Sequence, residues 1–378
     1  MVKVLEVVGR MDRAGQETFL MNILRKADRE KYEISFSVNT NYIGAYEDEI
    51  KNFNCQIYHN PFSADIKHLS RYIKCFRKIL KENGPFDVVH CHTWLFGGFI
   101  MWAAKKEHVP VRIMHSHSTS DGYGKSIFRR LYRSLAKKLI RNNATCMVAC
   151  GVDAYYALFN KKCIDKNKIL NNAVDVDQFD DRNFDVGAYR RTISIAKNSE
   201  VIISVARFYD VKNHKKIINV FYQYQLDHDK AVLLLVGEGE LKDEAIEQVN
   251  ELGISEKVYF MGVRSDVNKL LMCSNVFIMP SKFEGLPVSL IEAQAAGVYC
   301  VISNSITDEV DMGLALVDKV DITKSDKEWS DAIEVGMNQK KPDFSFRKEK
   351  LTEHGYSIDS TWRKLEMIYD KNKRNIIV

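Results

Sequence analysis

The stretch that most constrains how this chain can fold is Phe277–Ser303, FIMPSKFEGLPVSLIEAQAAGVYCVIS. Its apolar runs and its breakers predict a short strand, a loop, a helix over residues 289–296 and a second buried strand. Pro287 suits the first turn of the helix, because proline has no N–H to leave unpaired, and Gly297 marks its end. This order of elements is typical of a parallel α/β sheet.

Two carboxylates frame this stretch, Glu284 in the loop and Glu292 inside the helix. The loop leads into a helix N-terminus, which is a favourable place for an anion. Carboxylates are good acceptors for paired sugar hydroxyls. The pattern therefore indicates a site for a phosphate and a sugar, or else an ordinary strand–helix crossover with surface acids, and the spacing alone does not choose between them.

The order Pro-Ser-x-x-Glu-Gly-Leu-Pro, followed by Glu-Ala-x-Ala-x-Gly, resembles the glutamate-pair motif of the retaining family-4 glycosyltransferases. The resemblance implies the GT-B fold, with two Rossmann-like α/β domains facing an interdomain cleft. It implies that Glu284 lies beside the donor sugar and that Glu292 binds the ribose of the nucleotide. Gly285, Leu286 and Pro287 would then lead the helix N-terminus towards the donor diphosphate.

The segment Arg207-Phe-Tyr-Asp-Val-Lys212-Asn resembles a second motif of the same family, although Ala206 occupies the position at which the family has glycine. Arg207 and Lys212 match the cations that hold the donor diphosphate. The leaving group gains negative charge as the glycosidic bond breaks, so fixed cations can stabilise it. Without the motif, the two residues would be ordinary surface cations. Val263 and Arg264 match the loop that contacts the base in the family.

The turn after the first predicted strand, Ala14-Gly15-Gln16-Glu17, resembles the Gly-Gly-x-Glu turn that opens family members. The resemblance implies that Gly15 approaches the donor phosphates and that Gln16 lies on the acceptor side. Ala14 departs from the pattern, so the geometry of the turn is an open question. A glycine after a first strand is common in any doubly wound fold.

Two His-x-His pairs end neighbouring predicted strands, His90-Cys-His92 and His115-Ser-His117. Residues two apart on a strand face the same way, so each pair could chelate a metal ion. The cysteines offer no closing ligands at motif spacing, so no metal site is expected. The resemblance implies instead that His117 contacts the donor sugar or the reaction centre and that His92 is an acceptor-side residue. We expect His90 and His115 to be buried and hydrogen-bonded.

Strand and helix patterns alternate along the chain and restart near residue 200, which predicts parallel sheets with helices on both faces. The segment Lys168–Phe179 resembles the family's interdomain junction, and we interpret Asp175-Val-Asp177 within it as turn residues rather than metal ligands. The predicted domains are an acceptor-binding domain, 1–173, and a nucleotide-sugar-binding domain, 174–355. The segment 356–378 is predicted to form a helix that crosses back onto the first domain.

The net charge of +5 is unevenly distributed. Residues 1–173 carry 28 Lys and Arg against 16 Asp and Glu, whereas the remainder carries 27 against 34. Several cations lie on two predicted helices, the second of which also carries apolar residues at helical spacing. Such a helix could lie on an anionic membrane, or its charges could be a solvated face. The cations concerned are Arg71, Lys74, Arg77, Lys78, Lys81, Lys125, Arg129, Arg130, Arg133, Lys137, Lys138 and Arg141.

Composition gives the expected compartment. The 378 residues are 46% hydrophobic and 28% charged, the chain has no apolar run of 18 residues, and its N-terminus lacks the layout of a signal peptide. Its eight cysteines include no Cys-x-x-Cys pair, which is typical of reduced thiols. We therefore expect a cytoplasmic protein, with peripheral association at the inner face of the plasma membrane as a hypothesis.

The function that the resemblance implies is a retaining glycosyltransferase of the capsule or exopolysaccharide type. It would move a hexose or N-acetylhexosamine from a nucleotide-diphospho-sugar, UDP-linked by family habit, to a glycan or polyprenyl-diphosphate-linked acceptor. No cofactor and no metal are expected. The alternatives are a sugar-nucleotide epimerase of the same fold and a non-catalytic nucleotide-sugar-binding protein. Nucleic-acid binding is disfavoured, because aromatic residues do not interleave with the basic ones.

Overall fold

The chain is described by a computed structural model that covers residues 1–119, 124, 126–160 and 165–370. It forms two compact units, one made of Met1–Ala173 together with the segment from Ile358 onward, the other of Val174–Ser357. Lys125 and Cys163 lie outside the described residues. None of the cysteines within the described ranges forms a disulfide.

The first unit is built on a parallel six-stranded sheet with the order β3-β2-β1-β4-β5-β6. Its strands are β1 Val2–Val8, β2 Tyr32–Val38, β3 Ile57–His59, β4 Val88–Cys91, β5 Val111–Ser116 and β6 Cys146–Ala149. Its helices are α1 Gly15–Lys26, α2 Glu47–Asn52, α3 Leu69–Asn83, α4 Gly97–Lys106, α5 Ile127–Asn143, α6 Val152–Phe159 and, from the end of the chain, α14 Ile358–Tyr369.

Helices cover both faces of this sheet, as predicted. Side chains of β1 alternate between two apolar layers, with Val4 and Val8 in one and Leu5 and Val7 in the other. Helices α1 and α14 contribute to the first layer, and α3, α4, α5 and α6 to the second. Burial on both faces explains why the sequence of β1 is mostly apolar.

The second unit repeats the architecture with the order β12-β11-β10-β7-β8-β9. All its strand pairs are parallel, and one apolar core contains its strands and helices. The strands are β7 Glu200–Val205, β8 Ala231–Val236, β9 Val258–Gly262, β10 Val276–Met279, β11 Tyr299–Ser303 and β12 Val317–Val320. The helices are α7 Val186–Thr192, α8 His214–Gln225, α9 Lys242–Glu251, α10 Val267–Met272, α11 Val288–Ala295, α12 Asp326–Met337 and α13 Phe344–Glu353.

The terminal helix begins two residues later than the sequence pattern indicated, at Ile358 rather than at Tyr356. Tyr356 is held in an extended segment, where its carbonyl accepts a hydrogen bond from the backbone N–H of Val174 at 2.9 Å. Ser357 forms a parallel bridge with the same valine. The chain therefore enters and leaves the second unit along adjacent extended segments.

The junction after Val174 contains a short 3-10 turn at Val176–Phe179, in line with the turn interpretation of this segment. Asp177 forms an ion pair with Lys348 at 2.5 Å, and Asp175 accepts a hydrogen bond from Gln178 at 3.0 Å. Both carboxylates are thus occupied by local partners. None of the helices within the described residues has the length and apolar character needed to cross a membrane.

Candidate donor site and histidine cluster

The predicted donor residues of the second unit lie in loops at one edge of its sheet. The carboxyl ends of the neighbouring strands β10, β7, β8 and β9 meet there, and the loops after β7, β9 and β10 carry predicted residues. In open parallel sheets this edge is where ligands bind. The topology therefore brings together motifs that the sequence spreads over residues 207–292.

Lys212 and Glu284 contact each other through the lysine ammonium and carboxylate Oε1. Both side chains are more than four-fifths buried. The loops that carry them are joined by two hydrogen bonds, from the Lys282 N–H to the Val211 carbonyl at 2.8 Å and from the Asn213 side chain to the Pro280 carbonyl at 3.1 Å. A predicted cation and a predicted acid are thus held together as one rigid unit.

Glu292 lies in the second turn of α11, whose N-cap is Pro287. The helix begins at Val288, one residue before the predicted start. Its side chain has no hydrogen-bond or ion-pair partner among the described residues, although the residue remains partly accessible. Burial raises the pKa of this carboxyl from 4.5 to about 7. Among the described residues, the carboxylate is therefore an acceptor without a donor.

Arg207 is exposed, and its guanidinium lies over the Tyr209 ring at 4.7 Å. Within the described residues no carboxylate forms an ion pair with it. Leu286, by contrast, packs against the core, and Gly285 is exposed beside it at the entry to α11. The charge of Arg207 is thus available to a ligand, whereas Leu286 anchors the loop.

The glycines after β8, Gly237 and Gly239, are site residues that the sequence analysis did not assign. A Cβ on Gly239 would lie 2.5 Å from the carbonyl oxygen and 2.7 Å from the nitrogen of Phe208. The backbones meet this closely because Phe208 N–H donates to the Glu238 carbonyl at 3.0 Å. The sequence signal was the pattern Val-Gly-Glu-Gly at the end of an apolar strand, which permits close backbone approach.

Val263 and Arg264, the candidates for contact with the base, follow β9. Val263 is 54% exposed. Arg264 donates two hydrogen bonds to Asp266, at 2.8 and 2.7 Å, and Asp266 also accepts one from the Tyr189 hydroxyl at 2.7 Å. These bonds fix the plane of the guanidinium. Asp266 and Tyr189 are supporting residues that the sequence analysis missed.

In the first unit, α1 begins at Gly15, and Ala14 is its extended N-cap with φ of −137°. Alanine adopts this conformation without strain, so replacing the family's first glycine does not prevent the turn. Gly15 is exposed and Gln16 is partly accessible. Both remain candidates for ligand contact.

The two His-x-His pairs come together in one cluster at the carboxyl ends of β4 and β5. His90 and His115 are completely buried, as predicted, with His90 Nε2 3.2 Å from His115 Nδ1. His92 Nδ1 lies 2.8 Å from His117 Nε2, so the second residues of the two pairs also contact each other. Burial lowers the pKa of His92 to about 4 and that of His117 well below its usual range.

Glu6 of β1 lies under this cluster and was not identified from the sequence. Its carboxylate faces His92 Nε2 at 2.9 Å and His90 Nδ1 at 3.2 Å, and it accepts a hydrogen bond from the Tyr369 hydroxyl at 2.9 Å. Burial opposes ionisation, but the charge of His90 and the hydrogen bonds of His90 and His92 hold the pKa of Glu6 well below its usual range. The available signal was an acid in a buried strand, which requires partners.

The cluster also raises the question of a metal ion. His90, His92 and His115 each offer a nitrogen, and these atoms lie within 4.8 Å of one another. Imidazole nitrogens are good ligands for zinc and related ions. Most of these nitrogens are engaged with one another and with Glu6, whereas His115 Nε2 has no hydrogen-bond partner among the described residues.

Comparison with known proteins identifies the family of the chain. The family model described as Glycosyltransferase Family 4 matches residues 13–178, and the model described as Glycosyl transferases group 1 matches residues 185–334. The chain is similar to the putative glycosyltransferase EpsF of Bacillus subtilis, with 34% identity over 97% of this chain and 96% of that protein.

Further relatives are also named glycosyltransferases. The chain is 25% identical to the capsular polysaccharide biosynthesis glycosyltransferase CapH of Staphylococcus aureus, over 98% of this chain and 99% of the relative. It is 26% identical to the UDP-Gal:α-D-GlcNAc-diphosphoundecaprenol α-1,3-galactosyltransferase of Escherichia coli, over 63% and 62%. The structure resembles Anabaena HepE in complex with UDP and glucose, with a TM-score of 0.74 at 15% identity, covering 98% of this chain and 100% of HepE.

The fold is that of a GT-B glycosyltransferase. The chain belongs to the family-4 glycosyltransferases. The fold predicted from the glutamate-pair motif is therefore confirmed, and so is the prediction that the protein is a glycosyltransferase.

Proposed function

We propose that this protein is a retaining glycosyltransferase of polysaccharide biosynthesis that transfers a hexose or N-acetylhexosamine from a UDP-linked donor. The acceptor in this proposal is a glycan carried on a polyprenyl diphosphate. The observation that carries the proposal is Glu292, a partly accessible carboxylate that has no hydrogen-bond donor among the described residues. A pair of ribose hydroxyls supplies the hydrogen bonds that such an acceptor lacks.

The diphosphate would be held by charge and by backbone. Arg207 has no carboxylate partner among the described residues, and Lys212 is fixed in place by Glu284. The entry to α11 at Leu286 and Pro287 adds the partial positive charge of a helix N-terminus. These groups stabilise the charge that develops on the departing diphosphate without a metal ion.

Glu284 and His117 are assigned to the transferred sugar, and Gly15, Gln16 and His92 to the environment of the phosphates and the acceptor. Val263 and the fixed guanidinium of Arg264 would flank the base. Retention follows from front-face attack, in which the leaving phosphate takes the proton of the acceptor hydroxyl, so no side-chain base is required. The UDP in the HepE complex and the diphosphoundecaprenol in the name of the E. coli relative support the proposed donor and acceptor.

The lipid carrier would bring the enzyme to an anionic membrane surface, and α5 is the proposed contact. Four large apolar side chains on this helix, Ile127, Phe128, Leu131 and Leu135, are 50–81% exposed. They fall on one side of the helix and are interspersed with cations, including Arg130, Lys138 and Arg141. Exposed apolar residues flanked by cations are typical of a helix that lies in a membrane interface.

The donor site is tested by thermal-shift binding of UDP, GDP, ADP and their common sugar conjugates, with and without EDTA. A ligand present at 100 times its Kd adds about 2.7 kcal/mol to the stability of the folded state. We expect UDP and one UDP-sugar to raise the melting temperature, with no effect of EDTA. A folded protein that none of these nucleotides stabilises would contradict the proposal.

Variants make this test specific. The shift given by UDP should be lost in Glu292→Ala and Arg207→Ala and kept in Lys327→Ala, which removes an exposed lysine from α12. The preferred UDP-sugar is then incubated with polyprenyl-diphosphate-linked glycans. Transfer with the anomeric configuration of the donor retained, read from the NMR coupling constants of the product, is the expected outcome.

The membrane contact is tested by co-sedimentation with vesicles of phosphatidylcholine, with and without phosphatidylglycerol. We expect binding only to the anionic vesicles at low salt, and a loss of binding in the double variant Phe128→Ser, Leu131→Ser. Leu226→Ser is the matched control, because Leu226 is also about half exposed but lies in the second unit. Equal binding of all three proteins would exclude α5 as the contact.

A further inference from the structure

Glu6, His92 and His117 form a continuous hydrogen-bonded row that crosses three strand ends. Glu6 Oε2 lies 2.9 Å from His92 Nε2, His92 Nδ1 lies 2.8 Å from His117 Nε2, and His117 Nδ1 lies 3.3 Å from Asn172 Oδ1. The first two residues are buried, and only His117 and Asn172 are partly accessible. The row thus connects a buried carboxylate with the histidine that the proposed function places at the sugar.

The ionised carboxylate of Glu6 determines which nitrogen donates in each hydrogen bond of this row. An ionised carboxylate can only accept hydrogen bonds, so His92 must present Nε2–H to it. A neutral imidazole with a proton on Nε2 has a lone pair on Nδ1, so His117 must donate its Nε2–H to His92. The Nδ1 atom of His117 is then left as an acceptor. The Asn172 atom that faces it at 3.3 Å is Oδ1, which also accepts, so this arrangement requires the Asn172 amide to be rotated with its NH2 group towards the ring.

A second row leaves the same carboxylate but does not reach His117. Glu6 Oε1 accepts the Tyr369 hydroxyl, which lies 3.0 Å from His90 Nδ1, and His90 is followed by His115. His115 Nε2 has no hydrogen-bond partner among the described residues. The second row ends in the core and does not contact His117. A substitution in it therefore serves as a control for substitutions in the first row.

We propose that Glu6 is a positioning residue of the transferase, which acts through His92 to hold His117 in the tautomer with a proton on Nε2. His117 then presents an acceptor, and not a proton, at Nδ1, where a ligand hydroxyl would take the place of the Asn172 amide. Such a nitrogen suits a sugar hydroxyl and is unsuited to donating to a phosphate oxygen. The inference rests on the proposed role of His117 at the sugar, and it assigns His92 an indirect role behind His117.

The tautomers can be measured without any substrate. In protein labelled with ¹⁵N-histidine, long-range ¹H–¹⁵N correlation spectra distinguish a protonated ring nitrogen from a bare one, and His92→Asn and His117→Asn assign the signals. We expect both residues of the unsubstituted protein to be neutral with the proton on Nε2. A proton on Nδ1 of His117 would overturn the proposal, whether or not the protein proves to be a transferase.

The variant Glu6→Gln tests whether the carboxylate of Glu6 determines the tautomer of His117. Glutamine has nearly the same shape but can donate as well as accept, so the direction of the row is no longer imposed. We expect the His117 tautomer to become mixed or reversed, and kcat to fall roughly 10- to 100-fold, as when a supporting partner is removed from a functional histidine. KM for the donor and the thermal shift given by UDP should be unchanged. An unaltered His117 tautomer would overturn the proposal.

Two control experiments distinguish a positioning role of Glu6 from a general loss of stability. Tyr369→Phe removes a hydrogen bond to the same carboxylate but leaves the Glu6–His92 contact, so it should lower the melting temperature without changing the His117 tautomer or kcat. In a His117→Asn background, Glu6→Gln should have no further effect on kcat. If Tyr369→Phe lowers kcat as much as Glu6→Gln does, or if the Glu6→Gln effect persists without His117, Glu6 is only structural.

Nucleotide binding and the His117 tautomer test the proposed function and this inference separately. Failure of every nucleotide to stabilise the folded protein would remove the donor site but leave the tautomer measurement valid. Normal donor binding with a His117 proton on Nδ1 would retain the donor site and remove the role of Glu6. If Glu6→Gln does not fold, the spectrum of the unsubstituted protein still decides the outcome.

Discussion

Two carboxylates of this protein, the buried Glu6 and the partly accessible Glu292, show how the surroundings of a residue determine its use. Glu6 has a donor at each oxygen, and its pKa is held well below the usual range. Glu292 has none among the described residues, and burial raises its pKa to about 7. A carboxylate that accepts hydrogen bonds from protein groups can fix the orientation of those groups. A carboxylate without such donors is suited to bind a ligand that carries hydrogen-bond donors.

We predict that Glu292→Gln stabilises the ligand-free protein at high pH while weakening UDP binding. Because the pKa of Glu292 is about 7 in the folded state and its ordinary value is 4.5, the folded state holds a proton that the unfolded state releases between these pH values. The stability of the protein therefore falls as pH rises from 4.5 to 7 and stays lower above it. The difference corresponds to about 3 kcal/mol.

Urea denaturation at pH 5 and pH 8 measures this effect. The gain in unfolding free energy from Glu292→Gln should be larger at pH 8 than at pH 5. Glu244→Gln, at an exposed position in the first turn of α9, is the control and should show no such pH dependence. A Glu292→Gln gain that is the same at both pH values would mean that the carboxyl ionises as it does in water.

At the scale of elements, the donor site depends on how closely the loops after β7 and β8 approach. Phe208 N–H donates to the Glu238 carbonyl at 3.0 Å, and Leu241 N–H donates to the Phe208 carbonyl at 3.1 Å. Gly239 lies between these two bonds and leaves no room for a side chain. The position of Arg207, which precedes Phe208, is therefore set by a glycine more than thirty residues away.

We predict that Gly239→Ala destabilises the second unit by about 1–3 kcal/mol, the usual cost of overpacking, and weakens UDP binding. The new methyl group would lie 2.5–2.8 Å from backbone atoms of Phe208, which cannot move without breaking the two loop hydrogen bonds. Urea denaturation and the thermal shift given by UDP measure the two effects.

Gly187→Ala is the matched control. Gly187 lies in α7 of the same unit, and an added Cβ would meet its neighbours at ordinary distances of 3.4–3.5 Å. Alanine also favours a helix over glycine by about 1 kcal/mol, so this variant should be neutral or slightly stabilising. Similar losses in the two variants would show that the approach of the loops is not what Gly239 provides.

The elements differ in how far the sequence predicts them. β10, α11 and β11 are predictable because buried apolar runs are separated by a proline and a glycine, and Gly297 ends α11 with φ of +74°. The short edge strands β3 and β12 were missed, because their side chains are only partly buried and carry no continuous apolar pattern. The amphipathic pattern of α6 is too short, at eight residues, to distinguish a helix from a buried strand.

At the scale of the whole molecule, the main contacts of the histidine cluster could not be read from the sequence. Glu6 and Tyr369 are separated by 363 positions, and only the packing of α14 onto the first unit brings them together. Motifs predicted Lys212 and Glu284 as ligand residues, but not that they contact each other. Local patterns specify elements and residue types, whereas contacts between distant segments follow from topology.

The first unit is therefore built from both ends of the chain. Trp362, Leu365, Ile368 and Tyr369 of α14 are buried in the same apolar layer as β1 and α1. Lys31 forms ion pairs with Glu366 and Asp370 at 2.8 and 2.7 Å beside them. Burial of each large side chain contributes about 1.5–3 kcal/mol, so α14 supplies an amount comparable to the whole stability of a domain.

We predict that Leu365→Ala destabilises the first unit by about 2–5 kcal/mol, because it leaves a cavity where the side chain is completely buried. Hydrogen exchange monitored by mass spectrometry should show lost protection in β1 and β2, at the other end of the sequence, and unchanged protection in β7 and β8. Met367→Ala, in the same helix but 56% exposed, is the control and should cost less than about 0.5 kcal/mol. Lost protection in β7 and β8, or an equal effect of Met367→Ala, would contradict the assignment of α14 to the core of the first unit.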